Sequence, residues 1–188
     1  MSNPSADKIL TYLSTLGPIG KCPAPGTMGS IVAAIAGVLI AVHLGVMGLA
    51  IATVLVVAIG FPMANAHFRI TGQKDASEVI IDEVGGQWLA MLPIPVAPAF
   101  SLDYFIWVVV AFALFRLFDI WKPGPIRQAE KLQPYATGVM ADDIIAGAVA
   151  GAIIMLPPHF LKSLLIEGFH EHASRDCPKY CARDYFKG

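Results

Sequence analysis

Charge is what this 188-residue chain has least of. Only 14% of its residues are Asp, Glu, Lys or Arg, and 56% are hydrophobic, whereas a soluble domain carries about 25% charged residues. The shortage is concentrated: no Asp, Glu, Lys or Arg occurs between Lys21 and Arg69. One bilayer crossing takes about 20 residues, so that stretch alone is long enough for two. With a mean hydropathy of +0.64, it predicts membrane insertion rather than a buried soluble core. A basic stripe is missing as well, and the net charge is −1, so nothing points to a nucleic-acid partner. Cysteine is scarce and odd in number (Cys22, Cys177 and Cys181), which implies no disulfide framework. Residues 1–12, with Asp7 and Lys8 among polar side chains, lack the basic-then-apolar layout of a cleaved signal peptide. Insertion is therefore expected to rely on the apolar segments themselves. Strand-like alternation is also absent, which argues against a β-barrel. What remains is an all-α, multi-span architecture with short or broken helices.

The apolar segments follow from this. Residues 31–61 are too many for one comfortable crossing, and Gly45 and Gly48 sit near their middle beside His43. The pattern predicts a helical hairpin of residues 31–44 and 46–63, with one long tilted span as the alternative. Residues 84–102 are uncharged but contain Pro93, Pro95 and Pro98. A helix there should end near Leu92, because an interior proline removes a hydrogen bond and clashes with the preceding turn. Residues 104–117 form a further segment, and residues 144–160 another, closed by Pro157 and Pro158. A hairpin at the start places Lys21, Arg69 and Lys74 on one side, two more crossings return Arg116, Lys122, Arg127 and Lys131 to it, and the positive-inside tendency makes that side cytoplasmic. Residues 1–160 thus read as one membrane-embedded domain and 161–188 as a polar tail.

Four polar stretches border these segments on that same side. The first is Pro25-Gly26-Thr27-Met28-Gly29-Ser30. Thr27 and Ser30 are capping residue types, and a helix N-terminus suits a phosphate; a plain capped turn is the simpler reading. The second runs from Ser77 to Trp88 and contains Glu78, Asp82 and Glu83. Glu78 and Asp82 are four apart, hence on one face of a helix, where like charges repel unless a cation lies between them. Gly85 and Gly86 would admit a neighbouring helix. Asp82 and Glu83 stand deep enough in an apolar pattern that lipid exposure would be costly, which favours a functional role over a solvated cap. The third, Phe115 to Pro123, brings Arg116, Asp119 and Lys122 together at three-residue intervals. Interfacial anchoring accounts for Arg116, Trp121 and Lys122 but not for Asp119. The fourth, Gly138 to Asp143, ends in Asp142 and Asp143, which could simply be acids at a helix start. Together, acids that recur at membrane entrances beside Lys and Arg suit Mg²⁺ and a phosphate group. That combination fits metal-assisted phosphoryl chemistry.

The stretches PGTMGS, SEVIIDEVGGQW, FRLFDIWKPGPIR and GVMADDIIAG occur in one order between Gly17 and Gly147. In that order they resemble the phosphatidylglycerophosphatase A family. The resemblance implies a small helical enzyme of the bacterial cytoplasmic (inner) membrane, dependent on Mg²⁺. Such an enzyme removes the terminal phosphate of phosphatidylglycerophosphate, a phospholipid substrate of the cytoplasmic leaflet, to give phosphatidylglycerol. It further implies Asp82, Glu83, Asp119 and Asp142 as catalytic residues, with Glu78 and Asp143 joining them as metal ligands. Thr27, Ser30, Arg116 and Lys122 become the phosphate-binding set. The chain departs from the family at Gly124, where members often carry a second Trp, and at Arg127–Gly138, where Glu130 stands in for an acid and Thr137-Gly138 for a Gly pair. A carrier using the same acids is the rival reading, since transporters also place acids beside broken helices. The paired-His signature of other lipid phosphatases and the repeated-Asp motif of the CDP-alcohol transferases are both missing. The tail lies outside the resemblance; His170, His172, Cys177 and Cys181 admit a zinc site or a Cys177–Cys181 disulfide. The sequence assigns no oligomeric state.

Overall fold

The computed structural model describes residues 4–72, 78–94, 101–129 and 135–156. Within them the chain is helical, with no strand: α1 Pro4–Ser14, a 3₁₀ turn Gly17–Lys21, α2 Pro25–Thr71, α3 Ile81–Met91, α4 Leu102–Trp121, the short α5 Pro125–Ala129 and α6 Tyr135–Ile154. Three of these, α2, α4 and α6, are long and apolar enough to cross a membrane. The polar tail, and with it the zinc and disulfide readings, lies outside the described residues.

Helix α2 is broken by one residue. Gly45 has φ 70° and ψ −178°, a conformation essentially reserved for glycine. It divides α2 into arms 25–44 and 46–71, and the packing against α3 shows that the arms run in opposite directions. Gly29 lies against Ile80, and Gly37 against Trp88 and Met91. On the other arm the order reverses, with Val57 beside Gly85 and Gly60 beside Ile81. The hairpin expected from Gly45 is therefore present, and its second arm runs on to Thr71, beyond the expected end at residue 63.

Helix α3 is short, ends one residue before Leu92 as its prolines require, and is buried along most of its length. Eleven residues rise about 16 Å, too little to span a bilayer, so α3 by itself is not the crossing that the sequence reading assigns to this segment. Trp88 anchors it by donating Nε1–H to the carbonyl of Ala33 at 2.7 Å. Small residues set the closest approach. A Cβ on Gly147 would stand 2.2 Å from the carbonyl oxygen of Gly86, and one on Gly86 would stand 2.6 Å from that of Asp143. The α3 and α6 backbones thus touch, as small residues permit between membrane helices. Both members of the glycine pair admit a neighbouring helix as expected, Gly86 admitting α6 and Gly85 the second arm of α2 at Val57.

Two further boundaries that differ from the sequence reading bear on the acids. Helix α6 starts at Tyr135, so Asp142 and Asp143 lie inside it and are not acids of a helix start. The polar run before them is helical because Ala136, Met140, Asp142 and Asp143 are buried in the bundle. Helix α3 starts at Ile81, after a non-helical Ile80, so Glu78 and Asp82 do not share a helix face. Ile80 spends its N–H on the carbonyl of Ser14 at 2.9 Å, which ties the chain to the end of α1. Outward-facing Ile35, Leu39, Ile51, Val54, Ile106 and Val109 give the bundle an exposed apolar surface. A soluble monomer rarely shows so much.

Candidate active site

The short helix α3 and the glycine contact with α6 determine which acids meet. Asp82 and Glu83 occupy the first turn of α3, and Asp143 faces them from α6. Each offers a carboxylate oxygen, and the three oxygens lie within 4.8 Å of one another. Asp119, near the end of α4, lies close enough for its charge to act on both Asp143 and Glu83. Each neighbouring acid also caps locally: Asp82 Oδ1 accepts from the Glu83 N–H at 3.0 Å, and Asp142 Oδ1 from the Asp143 N–H at 3.1 Å.

Two cations border this group. Arg116 donates to Asp119 and stands 3.5 Å from the Thr27 hydroxyl. Lys122, held at φ 46° at the end of α4, donates Nζ–H to Asp142 Oδ2 at 2.7 Å. Gly26 makes room for them. A Cβ there would fall 2.5 Å from Glu83 Oε1 and 3.2 Å from an Arg116 nitrogen. Arg116 and Asp119 thus pair across one turn of α4, as their spacing indicates, whereas Lys122 leaves the helix at its C-cap and pairs with Asp142 of α6; the start of α2 lies against Glu83 and Arg116.

The other expected residues divide. Asp142 belongs to the site as the partner of Lys122, beside the trio rather than within it. Ser30 is fully buried and donates its hydroxyl to the carbonyl of Gly26 at 2.8 Å. That bond lies within the first turn of α2. Glu78 stands apart, before α3, beside His67. Two residues given no role by sequence reasoning matter as well. Gly26 is one; Gln87, one helical turn after Glu83, is the other. Gln87 is completely buried and neither end of its amide has a partner. A glutamine in an apolar stretch was the available signal.

The charge balance asks for a cation. Burial pushes the carboxyl pKa of Asp82 well up, and repulsion from Glu83 adds to it. Burial likewise raises Glu83, to about 8, partly opposed by its hydrogen bond with Asp82. Glu83 Oε2 and Asp143 Oδ2 are buried without any partner. Leaving a buried charged acceptor unsatisfied costs several kcal/mol, on the order of 1–3 or more. Orphaned oxygens converging from two helices, with no nitrogen or sulfur among them, are the donor set of a hard divalent cation such as Mg²⁺.

The model of the phosphatidylglycerophosphatase A family matches residues 12–157. That span takes in every residue of the site. The chain is 36% identical over 132 residues to the phosphatidylglycerophosphatase A of Haemophilus influenzae, covering 70% of this chain and 77% of that one. Against the Escherichia coli phosphatidylglycerophosphatase A it is 31% identical over 159 residues, 85% and 86% of the two chains. A putative phosphatidylinositol-3-phosphatase of Bacteroides thetaiotaomicron is 35% identical over 136 residues, covering 70% of this chain and 81% of that one. No solved structure matches.

Proposed function

The chain belongs to the phosphatidylglycerophosphatase A family and is a phosphatase of a bacterial membrane, and we propose that it hydrolyses the terminal phosphomonoester of phosphatidylglycerophosphate with Mg²⁺ as cofactor. One observation carries the reading: Asp82, Glu83 and Asp143 converge within 4.8 Å, with Arg116 and Lys122 against their flanks. That array can bind a cation and a phosphate side by side. The same acids would serve the carrier reading, but membership of a phosphatase family favours hydrolysis.

Asp82, Glu83 and Asp143 would hold the metal, with Asp119 beside them. A bound Mg²⁺ supplies charge neutralisation at the phosphoryl oxygens and acidifies water. The chain's own residues do the rest. Arg116 and Lys122 donate to the phosphoryl oxygens, which carry more charge as the ester bond lengthens. Each now faces an aspartate, and a phosphate entering between them shares those donors. The Thr27 hydroxyl, already 3.5 Å from Arg116, extends the same cradle. Water adds to phosphorus, the bond from phosphorus to the glycerol oxygen breaks, and a proton from the water ends on that oxygen. Phosphatidylglycerol and inorganic phosphate leave.

We place the site at the cytoplasmic face of a multi-pass protein. The support is that Arg116 and Lys122 lie toward the end of α4 beside the carboxylates, with Arg69 in the last turn of α2 and Arg127 in α5, and positive residues favour the cytoplasm. The test is phosphate release by purified protein from phosphatidylglycerophosphate, phosphatidic acid and phosphatidylinositol 3-phosphate, with and without Mg²⁺. Release is expected to be fastest from phosphatidylglycerophosphate and to vanish with a chelator. Faster release from the inositol lipid would transfer the substrate assignment to it, and chelator-resistant turnover would remove the metal.

A further inference from the structure

A cavity with several polar side chains in its lining lies where α1 docks against the end of α2, outside the Asp82, Glu83 and Asp143 cluster. The docking is specific: Arg69 grips Asp7 with two hydrogen bonds, at 2.7 and 3.2 Å, and Ser14 accepts from Ile80. Between these anchors is a cavity of about 540 Å³, whose lining includes Lys8, Thr11, Tyr12, Thr15, His67 and Glu78. His67 is only 1% exposed, yet neither ring nitrogen has a partner. The Thr11 hydroxyl is likewise buried and unpartnered. Buried polar groups are nearly always hydrogen-bonded, so orphans from two helices facing one cavity mark a place for a polar ligand.

The lining says what that ligand must offer. Lys8 and the Thr11 hydroxyl donate, which suits phosphate oxygens. Whichever nitrogen of a neutral His67 carries the proton, the other accepts, and Glu78 only accepts when ionised. A phosphodiester has no hydrogen to give them, so the ligand must also carry O–H donors. The cavity mouth identifies the source. Tyr12 lines the cavity and is 62% exposed, and on α1 it belongs to an outward stripe with Ile9 and Leu13, 61% and 45% exposed. Apolar residues at such spacing on a short surface helix lie in the headgroup region of a bilayer.

We propose that this cavity is a second headgroup site, taking the phosphodiester and hydroxyls of an anionic, hydroxylated phospholipid. It is separate from the carboxylate cluster but close to it: Glu78 and Asp82 are four residues apart, so their Cα atoms are at most about 14 Å apart. The inference does not depend on the phosphatase reading. It is tested by titrating the purified full chain with short-chain phosphatidylglycerol and following the ring ¹⁵N signals of His67, identified by their loss in His67→Asn. Saturable shifts are expected. Lys8→Gln and Thr11→Val should each weaken binding about tenfold, the effect of losing one good hydrogen bond, whereas Asp82→Asn should leave it within about twofold. Phosphatidylcholine, which has no O–H donor, should bind at least about tenfold more weakly, and inorganic phosphate should not displace the lipid. The proposal is overturned if neither Lys8→Gln nor Thr11→Val weakens binding, or if Asp82→Asn abolishes it. Equal binding of phosphatidylcholine, or displacement by equimolar phosphate, would overturn it too.

Discussion

At the scale of single residues, the site rests on oxygens that have nothing else to bind. Asp143 supplies one of them from α6, and its Oδ2 has no partner. Changing Asp143 to Asn removes a charge and a ligand atom without altering volume. The fold should persist while phosphate release falls by at least about a hundredfold, a loss larger than the 10–100-fold typical of residues that merely support a ligand. Mg²⁺ binding by calorimetry should weaken in parallel; unchanged Mg²⁺ affinity would remove Asp143 from the metal site. Arg116→Ala should separate the two functions, lowering turnover about 10²–10³-fold with Mg²⁺ binding retained. Much of this was legible in the sequence, because Asp82, Glu83, Asp119, Arg116 and Lys122 each interrupt or border an apolar run. Glu78 joins them in the sequence reading through its four-residue spacing from Asp82 and through the family resemblance. Spacing implies a shared face only where the helix is already formed, and here the helix begins three residues later, at Ile81.

At the scale of elements, glycine does what charge cannot. The acids of α3 and α6 meet because Gly86 and Gly147 let the two backbones touch. A methyl at either position has no room: its nearest neighbour at Gly147 is the Gly86 carbonyl, and at Gly86 the Asp143 carbonyl sits among the close contacts. Gly147→Ala should therefore destabilise the protein by roughly 1–3 kcal/mol, seen as a lower Tm. It should also lower activity by widening the gap between Asp143 and the α3 acids, although no catalytic atom is changed. Gly45→Ala makes a contrasting pair. Nothing lies within 4 Å of a Cβ there, but its backbone conformation costs a non-glycine residue about 1–3 kcal/mol. A lower Tm with catalysis intact is the expected outcome, measured on the same preparations. The Gly45 break and the end of α3 could be read from glycine and proline alone. The start of α6 could not, because Tyr135 to Met140 are ordinary residues that become helical by burial against their neighbours.

At the scale of the whole molecule, the positions of α1, α3 and the helix ends define a polar face on an otherwise apolar bundle. Asp82, Glu83, Arg116, Asp119, Lys122 and the cavity under α1 lie toward the ends of helices and meet Asp142 and Asp143 from inside α6, while Ile35, Leu39, Ile51, Val54, Ile106 and Val109 cover the sides. A phosphatase whose substrate is a lipid needs this arrangement, since the scissile phosphate stays at headgroup level while the acyl chains stay in the bilayer. Which face of the membrane it opens on can be read from Cys22, a free, partly exposed thiol just before α2, whose first turn closes over the site. In a variant with Cys177 and Cys181 changed to Ser, a membrane-impermeant maleimide should leave Cys22 unlabelled in intact cells and label it in inside-out vesicles. Labelling in intact cells would turn the site outward. The substrate would then have to be drawn from the outer leaflet, against the placement inferred from Arg69, Arg116, Lys122 and Arg127.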